Sequence, residues 1–581
     1  MRILLLDAED SPLCGRWSRE RWDLIVDLGK SSQFSEERWR KLDCAVLRSD
    51  AFSEGIADAK RVREIFAVGT GRLVDEEGID WWRLTQLRIA PDVFTALALE
   101  RVAGEIKAEG ELWCTRESWQ ARMLASLCNR PLERFGSGEL SRVAVQARRY
   151  GRLFRRFSWP QIKQIFFDKY DANYRWRSQF ASKPERSIQP VVLVPSAYEN
   201  VSRMAAGYAR LIPEQALLMI ATRWSARQFE PPANMQIRNL AAYATGDSAP
   251  TELKSLLEGW ARLKGDLSSV PEFRMLSQGG ILESFSTWFS DGLSARNAWR
   301  DVLEREPVSG VLCGDDSNMF TRLPVLLATK RKIPTVDFHH GAFDGHCMIK
   351  DQPCDVYLAK SEMERDYLVR VCERSEDRIV IAPPGQSSMR AGWRHEPSKA
   401  TAVLLFSEPY EAAGLRGQEV YREILPPLIR VARDNGRRVI VKLHPFESKR
   451  QRLRMIQALF PAADCELITV LDGPLRPEIL SQAWFGITIE STTVMDCWEH
   501  GISCFLCGWL ARSPYGYLQQ YARFGVGEEL KNAGQITEIP ERLAEMRRRP
   551  AGQVQSEMID PTRFKQLLTC GIQDGCGVRL A

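Results

Sequence analysis

Short apolar, β-branched runs alternate with helical stretches along almost the whole chain. That alternation is the pattern of parallel α/β domains and leaves little room for an all-helical or all-β fold. In the first third, Ile3–Asp7, Leu24–Leu28, Cys44–Leu47 and Leu112–Thr115 read as strands. A second series follows at Val191–Val194, Ala216–Ala221, Ile237–Ala242, Gly310–Cys313, Pro334–Phe338, Val356–Ala359 and Ile379–Ala382. A third comprises Ala402–Phe406, Val439–Leu443, Leu467–Val470, Phe485–Ile489 and Ser503–Leu506. The 581 residues are too many for one core. The spacing divides them into an α/β region at 1–185, a second α/β unit at 186–395, a third at 396–545 and a tail at 546–581. Pro383-Pro-Gly and the polar stretch to Lys399 read as the hinge between the second and third units.

Composition narrows the function classes. A net charge of +5 is small for this length and does not in itself point to nucleic acid. No apolar run approaches the about 18 residues of a membrane-spanning helix. The opening Met-Arg-Ile-Leu-Leu-Leu-Asp reads as a first strand rather than a leader. Fourteen cysteines lie scattered without a disulfide framework, which fits buried thiols in a reducing cytosol. Cys504 and Cys507 form the lone C-x-x-C, inside a strand-like run, and no second pair completes a metal site. The expected location is cytoplasmic.

One segment differs from its surroundings. Residues 142–186 hold twelve Lys or Arg against Asp168, Asp171 and Glu185, interleaved with ten aromatics. Val143, Ala147, Tyr150, Phe154 and Phe157 recur at helical spacing, giving an apolar face on a basic helix. The segment can be a solvated helix packing its aromatics inward. It can also be a peripheral contact to an anionic lipid surface at the inner membrane face. Single-stranded nucleic acid ranks last, because no nucleic-acid module accompanies it.

Four constellations can carry chemistry. All six histidines lie between residues 339 and 500, and His339, His340 and His444 follow apolar runs just before Gly or Pro. In an open α/β sheet that is the carboxyl edge, where ligands bind. Lys442-Leu-His444-Pro places Lys442 and His444 on one face by strand alternation, a cation pair suited to a phosphate. A structural histidine bonded to backbone is the alternative. Glu490-Ser491-Thr492-Thr493 reads as a turn between a strand and a helix. Its hydroxyls and the first-turn N–H groups can seat a phosphate, or one of them simply caps the helix. In Asp337-Phe-His339-His340-Gly341, period 2 sends the two imidazoles to opposite sides. His340, beside Gly341, is the one expected to face a cleft, and His339 to be packed. Asp315 and Asp316 follow a strand and supply a general base or cap the next helix.

These motifs together resemble the GT-B glycosyltransferases. The resemblance rests on two α/β units joined by a Pro-Gly hinge, His-Gly after a strand of the first, Lys-x-His-Pro after a strand of the second, and a Ser/Thr cluster opening a later helix. It spans roughly 190–545. Within that group the chain is similar to bacterial enzymes using CMP- or CDP-activated donors: sialyltransferases, Kdo transferases of capsule synthesis and CDP-glycerol glycerophosphotransferases. The resemblance implies two Rossmann-like domains in a GT-B arrangement beside the additional N-terminal α/β region. It implies that His444, Ser491, Thr492 and Thr493 contact the donor phosphate. His340 matches the histidine proposed as base in the glycerophosphotransferases, with Asp315 or Asp316 the alternative, as in sialyltransferases. The chain lacks the Asp-Gly that sialyltransferases often show after the acid pair, and Lys350 is the match for a downstream basic residue. The expected activity is metal-independent transfer of a sugar, or a glycerol-phosphate-like group, to a hydroxyl of a surface-glycan or lipid-linked acceptor. No cofactor beyond the nucleotide co-substrate is expected. A nucleotide-sugar epimerase and a non-catalytic carbohydrate-binding protein are the other classes.

Overall fold

The fold was analysed in a computed structural model. It describes residues 1–6, 19–28, 44–52, 54–106, 109–135, 162–163, 166–167, 184–244, 250–283, 285–314, 316–339, 341, 346–384, 396, 399–410, 415–445, 447–511, 517–546 and 559–571. Three sheets, wholly parallel in every pairing, follow one another along the chain. The first contains β1 (Arg2–Leu6), β2 (Leu24–Asp27), β3 (Ala45–Arg48), β4 (Glu111–Cys114) and β5 (Leu132–Arg134), in the order β3-β2-β1-β4-β5. The second contains β6 (Val191–Ser196), β7 (Leu217–Ala221), β8 (Met235–Asn239), β9 (Val308–Cys313), β10 (Thr335–Phe338), β11 (Val356–Ala359) and β12 (Ile379–Ile381). Its order is β12-β11-β10-β9-β6-β7-β8. The third contains β13 (Ala402–Phe406), β14 (Arg438–Lys442), β15 (Ile468–Leu471), β16 (Ala483–Thr488), β17 (Cys504–Cys507) and β18 (Glu528–Leu530), ordered β15-β14-β13-β16-β17-β18. The central strands of the second and third sheets are buried along their whole length, as a sheet covered by helices on both faces requires. This is the expected α/β class: two Rossmann-like parallel sheets in succession, with a further α/β unit ahead of them.

That first unit is fused to the other two by packing. The helix Trp81–Glu105 inserts Trp81 and Trp82 among Trp260, Phe273 and Phe289, which come from three helices between β8 and β9. Beside them the fully buried Arg296 pairs with Asp75 at 2.8 Å and Glu252 at 2.6 Å, so its charge is compensated across the seam. Toward the third unit, Asp27 at the end of β2 takes a two-pronged bond from Arg416 at 2.9 and 3.0 Å. The final stretch, expected as a tail, carries a helix at Pro561–Cys570 that returns to the second sheet. Phe564 meets Tyr208 there, and Gly310 in β9 leaves room for the backbone of Leu568, whose carbonyl a Cβ would overlap.

Of the basic aromatic segment, only residues 162–163, 166–167 and 184–186 lie within the described part. Phe167 stacks on Trp224 of the second unit at 5.5 Å, and Phe166 is exposed. Most of the 383–399 hinge lies outside the described residues. Among the described residues no helix is long and apolar enough to cross a membrane.

Candidate functional site

In the third sheet the chain runs from β13 to β14 and β15, then crosses back to β16 on the other side of β13. The reversal opens a crevice at the carboxyl ends of β13 and β16, where an α/β sheet places its ligand. Three loops meet there. Ser407-Glu408 follows β13, His444 follows β14, and Glu490-Ser491-Thr492-Thr493 follows β16.

Glu408 determines the shape of the hydroxyl-rich turn. One carboxylate oxygen, Oε1, accepts from the Thr488 hydroxyl at 2.7 Å and from the N–H groups of Ile489, Glu490 and Ser491 at 3.0, 2.8 and 3.1 Å. Burial pushes its pKa up, against the lowering effect of these bonds. The chain thus supplies its own carboxylate where the sequence suggested a bound phosphate. The hydroxyls beyond it remain on the crevice side. Ser491 Oγ accepts from the Thr493 hydroxyl at 3.1 Å and from the Thr493 N–H at 3.4 Å. Thr492, exposed, is the N-cap residue of the helix Thr493–Glu499 yet makes no side-chain cap bond. Of the hydroxyls expected to cap this helix, Ser491 accepts from its first N–H and Thr492 does not, and the turn itself is held from below by Glu408. The helix ends at Gly501, with φ 71° and the bond Ile502 N–H to Cys497 O at 2.8 Å.

Ser407, next door, fastens the other loop. Its hydroxyl donates to Glu447 Oε1 at 2.8 Å. Glu447 Oε2 accepts from the His444 N–H at 2.8 Å, while the Glu447 N–H donates back to His444 O at 2.9 Å. Buried Arg452 pairs with Glu447 at 2.7 Å and lies over Tyr410 and Tyr421. Burial, with the Lys442 charge second, lowers the His444 pKa to about 4, so the imidazole is neutral near pH 7. Lys442 is buried too; its ammonium donates to the carbonyls of Leu443 and Gly473, each at 2.7 Å, and desolvation lowers its pKa. The expected cation pair is corrected accordingly. One member is uncharged and the other is turned to backbone carbonyls.

The second sheet presents its own carboxyl edge to this crevice. A Cβ on Gly341 would lie 3.6 Å from the methyl of Thr492. The Lys360 ammonium donates to Gly341 O and pairs with Glu364 at 3.0 Å. It also acts on Asp496, one turn beyond Thr492. Burial, then Glu499, raises the Asp496 pKa to about 6, with His500 and Lys360 opposing. Further along the seam Arg523 grips Asp366 at 2.6 and 2.9 Å, and Gln520 donates to Met363 O at 2.9 Å.

His339 is buried, its Nδ1 accepting from the Gly341 N–H at 3.3 Å, as a packed histidine should. His340 and Asp315 lie outside the described residues. Asp316 is 1% exposed, bonded to Arg322 at 2.9 Å and to Lys350. Arg322 in turn holds Asp351. A carboxylate enclosed by two cations is a structural anchor and a poor general base, which corrects the expectation for Asp316. Cys504 and Cys507 are both buried in β17. The residues that organise the crevice, Ser407, Glu408 and Glu447, escape motif reading because their partners are distant in sequence. The one available signal was a polar pair closing a fully apolar central strand.

No protein-family model matches the chain, and no curated protein matches it in sequence. Solved structures of similar shape include the calicheamicin glycosyltransferase CalG4, with 13% identity over 66% of this chain and 94% of that one, TM-score 0.37. The UDP-GlcNAc 2-epimerase of Methanocaldococcus jannaschii, in complex with UDP-GlcNAc and UDP, has 11% identity over 66% and 99%, TM-score 0.41. A glycosyltransferase from Rickettsia africae has 11% identity over 62% and 90%, TM-score 0.36. The likeness is one of outline and assigns no donor or acceptor.

Proposed function

We propose that the chain is a GT-B-type, metal-independent glycosyltransferase. It moves a sugar, or a glycerol-phosphate-like group, from a nucleotide-activated donor, CMP- or CDP-linked, to a hydroxyl of a surface-glycan or lipid-linked acceptor. The observation that carries this reading is the approach of Gly341 to Thr492, which brings the His-His-Gly end of one sheet against the hydroxyl turn of the other. Two carboxyl edges then share a cleft, with hydrogen-bond donors on the side of the third sheet.

In this reading the nucleotide lies at the β13–β16 crevice. The neutral His444 ring and the hydroxyls of Ser491 and Thr492 donate to the leaving phosphate, with Thr493 holding Ser491 Oγ in place. Fixed donors of this kind stabilise charge that grows in the transition state without reorganising. His340 or Asp315 takes the proton of the acceptor hydroxyl. Glu490 lines the same turn. Thermal shift with CMP, CDP, UDP and GDP tests the donor class, since a ligand that binds the folded state raises its stability. Selective stabilisation by one nucleotide is expected. His444→Ala should cut turnover by orders of magnitude at an unchanged melting temperature, and wild-type rates from that variant would remove the assignment.

A second reading, an epimerase acting on the sugar nucleotide alone, is favoured by Asp496. Its carboxyl, with a pKa of about 6, sits at the seam and can give or take a proton near neutrality. Conversion of a nucleotide sugar with no acceptor present would decide for it.

A further inference from the structure

The second sheet has its own reversal point. The chain runs from β6 to β7 and β8, then returns to β9 on the far side of β6. The crevice there lies between the loops after β6 and β9. Tyr198, two residues past β6, meets Asn318, which follows β9, and Arg223, which follows β7. The phenol oxygen accepts from Arg223 Nη1 at 3.0 Å and from Asn318 Nδ2 at 3.3 Å. With both lone pairs engaged, the phenol can only donate its own proton outward. Asn318 has its carbonyl committed to the N–H of Phe320 at 2.9 Å. The Arg223 guanidinium lies over the Tyr198 ring, 5.0 Å from its centroid, and among the described residues it pairs with no carboxylate. Its orientation is therefore fixed, and among the described residues most of its N–H groups make no hydrogen bond. Trp224, stacked on Phe167, forms an aromatic wall beside it.

We infer that this crevice binds an acceptor bearing an anionic group, a phosphate or a carboxylate, held by Arg223 and the Tyr198 hydroxyl. A sugar ring of that acceptor lies along Trp224. That the ligand is an acceptor rests on the transferase reading; that it is anionic rests on the local chemistry alone. Among the described residues the polar groups facing the crevice are donors, one of them a cation fixed over Tyr198, and such a set discriminates against cationic groups and favours anions over neutral ones.

Calorimetry on the full chain tests this with glycerol 3-phosphate and glucuronate as anionic probes, and glycerol and glucose as neutral ones. Anionic probes should bind and neutral ones should not, and comparison of the two anions separates phosphate from carboxylate. Arg223→Gln should weaken binding about tenfold or more, the value of a charge-assisted bond, at an unchanged melting temperature. Tyr198→Phe should weaken it by less, so the proposal stays testable if one variant folds poorly. Equal affinity for neutral and anionic probes, no anion binding, or wild-type affinity in Arg223→Gln would overturn it. If no nucleotide binds while the anion still binds through Arg223, the site stands and the donor reading falls.

Discussion

Replacing Glu408 by Ala and by Gln separates two roles of that carboxylate. In the wild type a single oxygen satisfies four donors of the turn 488–491. Alanine leaves the three N–H groups without an acceptor in a part-buried turn, while the Thr488 hydroxyl keeps Phe406 O at 3.2 Å. At about 1 kcal/mol for each, the low end for an unsatisfied group because water reaches the crevice side, the loss is about 3 kcal/mol. Glutamine keeps an acceptor oxygen and removes the charge. Burial already works against that charge, as the raised pKa shows, so glutamine should lose about 1 kcal/mol or less. Scanning calorimetry should place the third-unit transition about 6–12 °C lower for Ala, at about 2–4 °C per kcal/mol for a unit of this size. The sign of the pH dependence follows. A carboxyl whose pKa is raised on folding contributes stability below its unfolded value of 4.5, and that contribution fades as the pH climbs through the folded value. Glu408→Gln should therefore gain on the wild type as pH rises through that interval. An Ala variant melting within about 2 °C of wild type, or a Gln variant as damaged as Ala, would refute the view that the oxygen organises the turn.

The buried pair at Asp316 predicts a stability defect ahead of a catalytic one. Asp316→Ala removes the buried carboxylate shared by Arg322 and Lys350, leaving them Asp351 and the Ser317 hydroxyl, and should lose about 3 kcal/mol in urea unfolding; full stability with lost turnover would restore the residue to the base role. Asp496 has a raised pKa, so its contribution is present below its normal value of 3.8 and is withdrawn as pH rises toward about 6. Glu499, His500 and Lys360 face it, and Asp496→Asn should remove up to about 3 kcal/mol of pH-dependent stability over that window. His444, with its pKa lowered to about 4, should show no titration between pH 5.5 and 8. Labelled-histidine NMR checks this, with His444→Gln supplying the assignment. A midpoint near the ordinary 6.5 for that signal would contradict the burial argument.

Most of the strands could be read from the chain because parallel strands covered on both faces need no polar alternation. Val-Val-Leu-Val at 191 and Ala-Val-Leu-Leu-Phe at 402 declare themselves by apolarity alone. Leu132–Arg134 and Glu528–Leu530 were missed for the converse reason. Both are three-residue edge strands, two-thirds polar, because one side of each meets solvent. The helices between β8 and β9 read as helices, but nothing in their sequence announces that their aromatics receive Trp81 and Trp82. That is a tertiary fact, decided by which unit docks where.

At the site, sequence located the polar loops and misjudged their state. His444 and Lys442 were visible as polar groups ending an apolar run, but protonation and direction are set by burial, which spacing does not encode. Glu408 lies about eighty residues from the turn it holds, and Glu447 forty from Ser407. What joins them is strand order. β13 sits between β14 and β16, so the two residues following it reach both neighbours at once. Ser407 takes the His-Pro loop through Glu447, and Glu408 takes the hydroxyl turn directly. The two motif loops are therefore not independent features of a sheet edge. They hang from adjacent residues of one central strand, and a displacement of that strand end moves both against the facing Gly341.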